Sequence, residues 1–121
     1  MSVGVTAESS TPVTLGTTNV PVLTSAGVPT TGSYFVSVSL ELDVAAGDSA
    51  FCWVPGGSYP YSIGEGPVAS TGYVTIPLEA DVSMTAGSPI SVMCTNTLGS
   101  TSGTEFFSGT ITAILVDNVT S

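Results

Sequence analysis

From Ser33 to Val44 the chain alternates at period two. Tyr34, Val36, Val38, Leu40, Leu42 and Val44 fall on one face, and Ser33, Ser37, Ser39, Glu41 and Asp43 fall on the other. A period of two belongs to an extended strand, because successive side chains of a strand point to opposite sides, whereas a helix repeats about every 3.6 residues. The pattern returns from Tyr73 to Met84, with Val74, Ile76, Leu78, Ala80, Val82 and Met84 on the apolar side and Thr75, Glu79 and Asp81 on the polar side. Two long strands with one dry and one wet face need a second sheet to cover the dry one.

Further short runs read as strands near residues 11–15, 19–24, 49–54, 67–70 and 89–95, with a closing strand near 105–117. Turn signals separate them: Ala46-Gly47-Asp48, Pro55-Gly56-Gly57, Ala86-Gly87-Ser88-Pro89 and the loop Gly99-Ser100-Thr101-Ser102-Gly103. Glycine supplies backbone angles that other residues resist, and proline fixes φ and removes a donor, so these clusters interrupt strands. No segment carries a helical period. The expected fold is all-β, an antiparallel jelly-roll sandwich of about eight to ten strands. Residues 19–121 form the single jelly-roll domain, and residues 1–18, polar and poor in strand signals, are an N-terminal arm or a first strand.

Apolar residues make up 42% of the chain and charged residues only 7%, which is the composition of a folded core rather than of an acidic disordered tail. A mean hydropathy of +0.50 leaves more apolar surface than one small interior absorbs, so part of it is expected to meet a partner.

There is no lysine, arginine or histidine, and nine carboxylates give a formal charge of −9. Nucleic-acid binding takes most of its affinity from cations set against phosphates, and anionic membrane surfaces are recognised in the same way, so neither is an expected partner. Catalysis loses its commonest general base, its Schiff-base amine and its anion clamp. Carboxylate pairs of the glycosidase kind are the only candidates left, and nothing in the spacing sets two of them across a cleft, so no enzyme activity is expected. Self-repulsion among unsupported carboxylates is expected to weaken an isolated subunit at low salt.

Met1-Ser2-Val3-Gly4-Val5 lacks the basic and apolar regions of a secretory signal, which reads as synthesis in the cytosol or as a leader already removed. No apolar run is long enough for a transmembrane helix. Asn118-Val119-Thr120 fits the glycosylation acceptor pattern, a triplet common by chance.

The closing segment places Phe106, Phe107, Ile111, Ala113, Ile114, Leu115 and Val116 on both faces of one strand, which reads either as a subunit interface or as a central strand covered by its own chain. Phe51-Cys52-Trp53-Val54 raises the same alternative: if Cys52 points inward, Phe51 and Trp53 point out. The candidate interface residues are Phe51, Trp53, Phe106, Phe107, Ile111 and Leu115.

Gly32-Ser33-Tyr34 at the head of a long strand, Cys52 and Cys94 in mid-sandwich strands, and the terminal Gly109-Thr110-Ile111-Thr112-Ala113-Ile114 resemble the C1q/TNF-like jelly rolls, especially the small bacterial and phage-borne ones. The likeness runs from about residue 19 to 118, through short motifs of common residues, and the lack of basic residues departs from most members. It implies an eight- or ten-stranded jelly roll that assembles as a compact homotrimer, with apolar residues of the terminal strands on the three-fold axis.

Cys52 and Cys94 are the only thiols. They read either as a bridge between neighbouring strands, limiting the unfolded chain by about 4 kcal/mol in the chain-entropy estimate, or as two buried free cysteines acting as small hydrophobes. Two thiols without an imidazole do not make a zinc site.

Glu41 with Asp43, and Glu79 with Asp81, stand two apart, so each pair projects from one strand face. If the two strands are neighbours the four carboxylates gather, and a calcium site is the candidate metal reading, against a solvated acidic face that keeps an assembly soluble. Trp53, Tyr59 and Tyr61 flank Pro55-Gly56-Gly57-Ser58, and aromatic rings on an exposed loop can stack on sugars, which makes a lectin-like site a further candidate. The leading expectation is a phage virion structural protein, a capsid decoration, head-fibre or tail-tip trimer whose partners are itself and a capsid or other virion protein. The alternative is an exported bacterial extracellular or cell-surface domain with lectin-like or adhesive binding, for which a disulfide would be the support.

Overall fold

The structure, a computed structural model, describes residues 4–16, 18–47, 49–56, 62–65, 72–96 and 104–117. Among these residues there are nine strands and no helix: β1 (Gly4–Ser9), β2 (Val13–Thr14), β3 (Val20–Gly27), β4 (Gly32–Val44), β5 (Ala50–Trp53), β6 (Ser62–Glu65), β7 (Gly72–Met84), β8 (Pro89–Asn96) and β9 (Glu105–Asp117). A five-stranded sheet has the order β1-β9-β4-β7, with β2 also on β9, and a four-stranded sheet has the order β3-β8-β5-β6.

The pairing is that of a folded ribbon. β5 pairs with β6, β4 with β7, β3 with β8 and β1 with β9, all antiparallel, and successive pairs alternate between the two sheets. This alternation is the jelly-roll wrap, and it forces a two-layer sandwich with one shared interior.

β4 and β7 pair residue for residue from Gly32↔Met84 to Val44↔Gly72. Their alternation is kept throughout, so Tyr34, Val36, Leu40 and Leu42 of β4 and Ile76, Leu78 and Ala80 of β7 are buried. From the other layer Val22, Leu23, Cys52, Ile90, Val92 and Cys94 close on them to make one core. Pro77 sits within β7, which is possible because β7 is an edge strand and proline has no N–H to give a second neighbour.

Each end of the sandwich is held by hydrogen bonds between loops. At one end the Val28 N–H donates to the Ser88 carbonyl (2.9 Å), and the Gly87 N–H donates to the Val28 carbonyl (2.8 Å). The Tyr34 hydroxyl, although its ring is fully buried, is satisfied by the Thr30 backbone. The β7–β8 turn puts Gly87 at φ +92°, and the Ser88 N–H donates to the Thr85 carbonyl at 3.0 Å. At the other end buried Thr104 accepts from the Ala45 N–H on its hydroxyl (3.0 Å) and from the Leu15 N–H on its carbonyl (2.9 Å).

Of the two alternatives for the N-terminal segment, Gly4–Ser9 takes that of a first strand, pairing with β9 from Gly4↔Ile114 to Ser9↔Gly109 at the sheet edge. The strand expected at 67–70 falls outside the described residues, and β6 at Ser62–Glu65 was not anticipated.

In the closing strand apolar residues do fall on both faces: Phe106 and Ile111 are fully buried and Leu115 packs against the core, while Phe107, Ile114 and Val116 point outward with Thr110 and Thr112. Two irregularities in the β4–β9 register act on Phe107 and Val116. Leu42↔Phe106 is followed by Glu41↔Ser108, and Tyr34↔Leu115 by Ser33↔Asp117, so Phe107 and Val116 are each one residue too many for the partner strand. A bulge shifts the in-out phase by one. Phe107 and Val116, at 41% and 60% exposure, are therefore left on the outer side.

Candidate functional site

Charge is distributed unequally between the two layers. Glu8, Glu41, Asp43, Glu79, Asp81, Glu105 and Asp117 lie on strands of the five-stranded sheet, whereas the strands of the four-stranded sheet carry only Glu65. On the outer side of the four-stranded sheet, register aligns Pro21, Met93 and Trp53 in one row and sets Phe51 opposite Thr95. Phe51 and Trp53 are half-buried, with ring centroids 6.3 Å apart. This layer offers an aromatic, uncharged face among the described residues.

The outer face of the five-stranded sheet is built in rows across β1, β9, β4 and β7. Thr6, Thr112, Ser37 and Glu79 form one row, and Glu8, Thr110, Ser39 and Pro77 form the next. Ser108, Glu41 and Thr75 follow, and beyond them comes Asp43 with Tyr73 on one side and Glu105 on the other. The centre of the face is thus hydroxyls and carboxylates, and exposed apolar side chains join carboxylates at its two ends. Phe35 and Ile114 stand opposite each other at one end. At the other end the exposed rings of Tyr73 and Phe107 meet at 5.4 Å between centroids, tilted by 52°, within the range of a favourable aromatic contact.

A groove of about 550 Å³ is cut into this face, lined by Glu8, Ser39, Glu41, Thr75, Ser108 and Thr110 among others. It opens where the chain leaves β9 between β1, which ends opposite Gly109, and β2, which begins opposite Phe106. A smaller hollow of about 370 Å³ continues it along β1 and shares Glu8 and Thr110.

The four carboxylates considered for calcium share this face but are not brought together. Antiparallel pairing sets Glu41 against Thr75 and Asp43 against Tyr73, while Glu79 stands against Ser37 and Asp81 against Phe35. Four residues of strand separate Glu41 from the level of Glu79, about 13 Å at the usual rise. That is too far for one ion, and no group of three or more acidic, histidine or cysteine side chains suited to a metal occurs among the described residues.

Of the six candidate interface residues, Phe106 and Ile111 belong to the interior, with no exposed surface. Leu115 packs on the core, Phe107 is exposed on the five-stranded sheet, and Phe51 and Trp53 lie on the other layer. Ile114, at 42% exposure, is an outward residue that was not singled out, although its alternation with Ala113 and Leu115 carries the signal. Tyr59 and Tyr61 lie outside the described residues.

Cys52 and Cys94 are directly opposite in the β5–β8 ladder and are joined as a disulfide buried between the layers. The bridge ties the two central strands of the four-stranded sheet. No protein-family model matches the chain, and no curated protein matches it.

Proposed function

We propose that the protein is a non-enzymatic structural module that assembles with itself through the outer face of its four-stranded sheet and serves in a phage virion as a capsid decoration, head-fibre or tail-tip homotrimer. The observation that carries this reading is the uncharged aromatic face of Pro21, Phe51, Trp53 and Met93, set on the layer opposite the carboxylates. A chain with no cationic side chain cannot pair its carboxylates with lysine, arginine or histidine across a contact, and burying a carboxylate unpaired costs several kcal/mol. Copies therefore meet at least cost where neither brings charge. Trimer stoichiometry is what the resemblance to C1q/TNF-like jelly rolls implies, while its axis through the terminal strands is not kept here, because Phe106 and Ile111 are interior. The acidic layer, left outward, would be repelled by packaged nucleic acid and suits a position on the outside of a shell.

The disulfide favours a second reading, an exported bacterial surface or extracellular domain, because such bonds persist in oxidising surroundings. Genes for capsid proteins beside the coding sequence support the first reading, and an encoded leader upstream supports the second.

Light scattering on a sizing column tests assembly. A mass near three times 12.0 kDa is expected for the wild type, falling to one chain in Trp53→Asp. A wild-type monomer at micromolar concentration would remove the assembly reading.

A further inference from the structure

We propose that the groove on the outer face of the five-stranded sheet is a binding site for a neutral oligosaccharide. Three features of the face point to this ligand class. The first is the lining, in which Ser39, Thr75, Ser108 and Thr110 both donate and accept hydrogen bonds while Glu8 and Glu41 only accept. A sugar presents neighbouring hydroxyls that need both, and a hydrogen bond from a sugar hydroxyl to a carboxylate is of the stronger, charge-assisted kind.

The second is the platform at the end of the groove. Tyr73 precedes Thr75 by two residues on the same face of β7, and Phe107 adjoins Ser108, so the contacting ring pair continues the groove floor about 7 Å from its last polar row. Tyr73 is 66% exposed, which is a large aromatic surface to leave in water beside a polar cleft. The apolar C–H face of a pyranose ring covers such a surface while its hydroxyls remain available to the groove.

The third is charge. With Glu8 and Glu41 in the lining, Asp43 in the next row and no cationic side chain in the sequence, uronic acids, sialic acids and phosphorylated sugars are repelled. A basic peptide is the competing cationic ligand. It is disfavoured because the ladder spreads the carboxylates, holding Glu41 and Glu79 at levels four residues apart and placing Glu8 two strands away from β4 in the row between, with the hydroxyls of Ser39 and Thr110 beside it. The groove and its continuation together offer a run of polar surface from Thr75 to Thr6, which suits a chain of several sugars rather than one.

This site is on the layer opposite Trp53 and does not depend on assembly, so the native mass of each sample keeps the two proposals separate. The full-length protein is titrated by calorimetry with neutral hexasaccharides (maltohexaose, cellohexaose, chitohexaose and a mannohexaose), with oligogalacturonate of equal length, and with hexalysine. Binding of at least one neutral hexasaccharide and none of the oligogalacturonate is expected. Tyr73→Ala and Glu41→Gln are each expected to weaken that binding by about tenfold or more. Thr24→Ala, on the outer side of the other sheet, is expected to leave it unchanged, and a native mass equal to wild type in every variant excludes misfolding. The proposal is overturned if no neutral hexasaccharide binds at millimolar concentration, if oligogalacturonate binds as well as the neutral sugars, if hexalysine alone binds, or if binding survives in both Tyr73→Ala and Glu41→Gln.

Discussion

Cys52 and Cys94 face each other across β5 and β8 with Cα atoms 4.1 Å apart and a sequence separation of 42, so a bond between two neighbouring core positions closes a loop of a third of the chain. The loop contains β6 and β7, and with β7 one whole edge of the other sheet. Reduction should therefore act mainly by freeing the unfolded chain. Urea unfolding with and without reductant is expected to show a loss of about 4 kcal/mol, with an increased slope as the reduced unfolded state expands.

Tyr34 is a fully buried ring with a hydroxyl held by the backbone of Thr30. Tyr34→Phe keeps the ring and strands the Thr30 carbonyl. A cost of about 1–2 kcal/mol in chemical unfolding is expected, and amide exchange should quicken at Val28 and Gly87, whose bonds join the same loops.

Gly87 holds φ at +92° in the turn between β7 and β8, where side chains other than glycine are strained. Open space surrounds the missing Cβ, so the cost of Gly87→Ala is conformational and not steric. A loss of about 1 kcal/mol in thermal or chemical unfolding is expected, with the fold retained.

Salt should stabilise this chain throughout the ordinary range. Glu8, Glu41, Asp43, Glu79, Asp81 and Glu105 repel one another on one layer, and no lysine or arginine pairs them. Raising ionic strength from about 0.01 M to about 1 M shortens the screening length from about 30 Å to about 3 Å. The urea midpoint is expected to rise with sodium chloride, and less steeply in Glu79→Gln/Asp81→Asn. A midpoint that is flat or falls with salt would contradict one-sided repulsion.

Strands β4 and β7 are legible in the sequence because every second residue, the inward set, is apolar, and the span of β9 is legible from its length and bordering glycines. The outward positions of β9 are not, because a single extra residue at Phe107 reverses the phase, and a bulge has no composition of its own. β1 is left open between an arm and a first strand, since Val5 and Ala7 are its only apolar inward residues, and an edge strand needs little more. The groove is less legible still. That Glu8 and Glu41 each stand two apart from another polar residue is visible in the chain, but their meeting with Thr110 and Ser108 depends on the register of three strands distant in sequence. For the same reason, shared facing of Glu41, Asp43, Glu79 and Asp81 was readable while their levels along the ladder were not.

The free edge at β7 has a consequence for how such a protein ages in storage. Among the described residues no strand pairs with the outer side of β7, and a thirteen-residue edge of this kind is a template on which further chains can polymerise as fibrils. Pro77 interrupts that template at mid-strand, and Glu79 and Asp81 place like charge where a second β7 would have to settle. With no lysine available to attract an incoming strand, every copy of the protein guards this edge against every other copy.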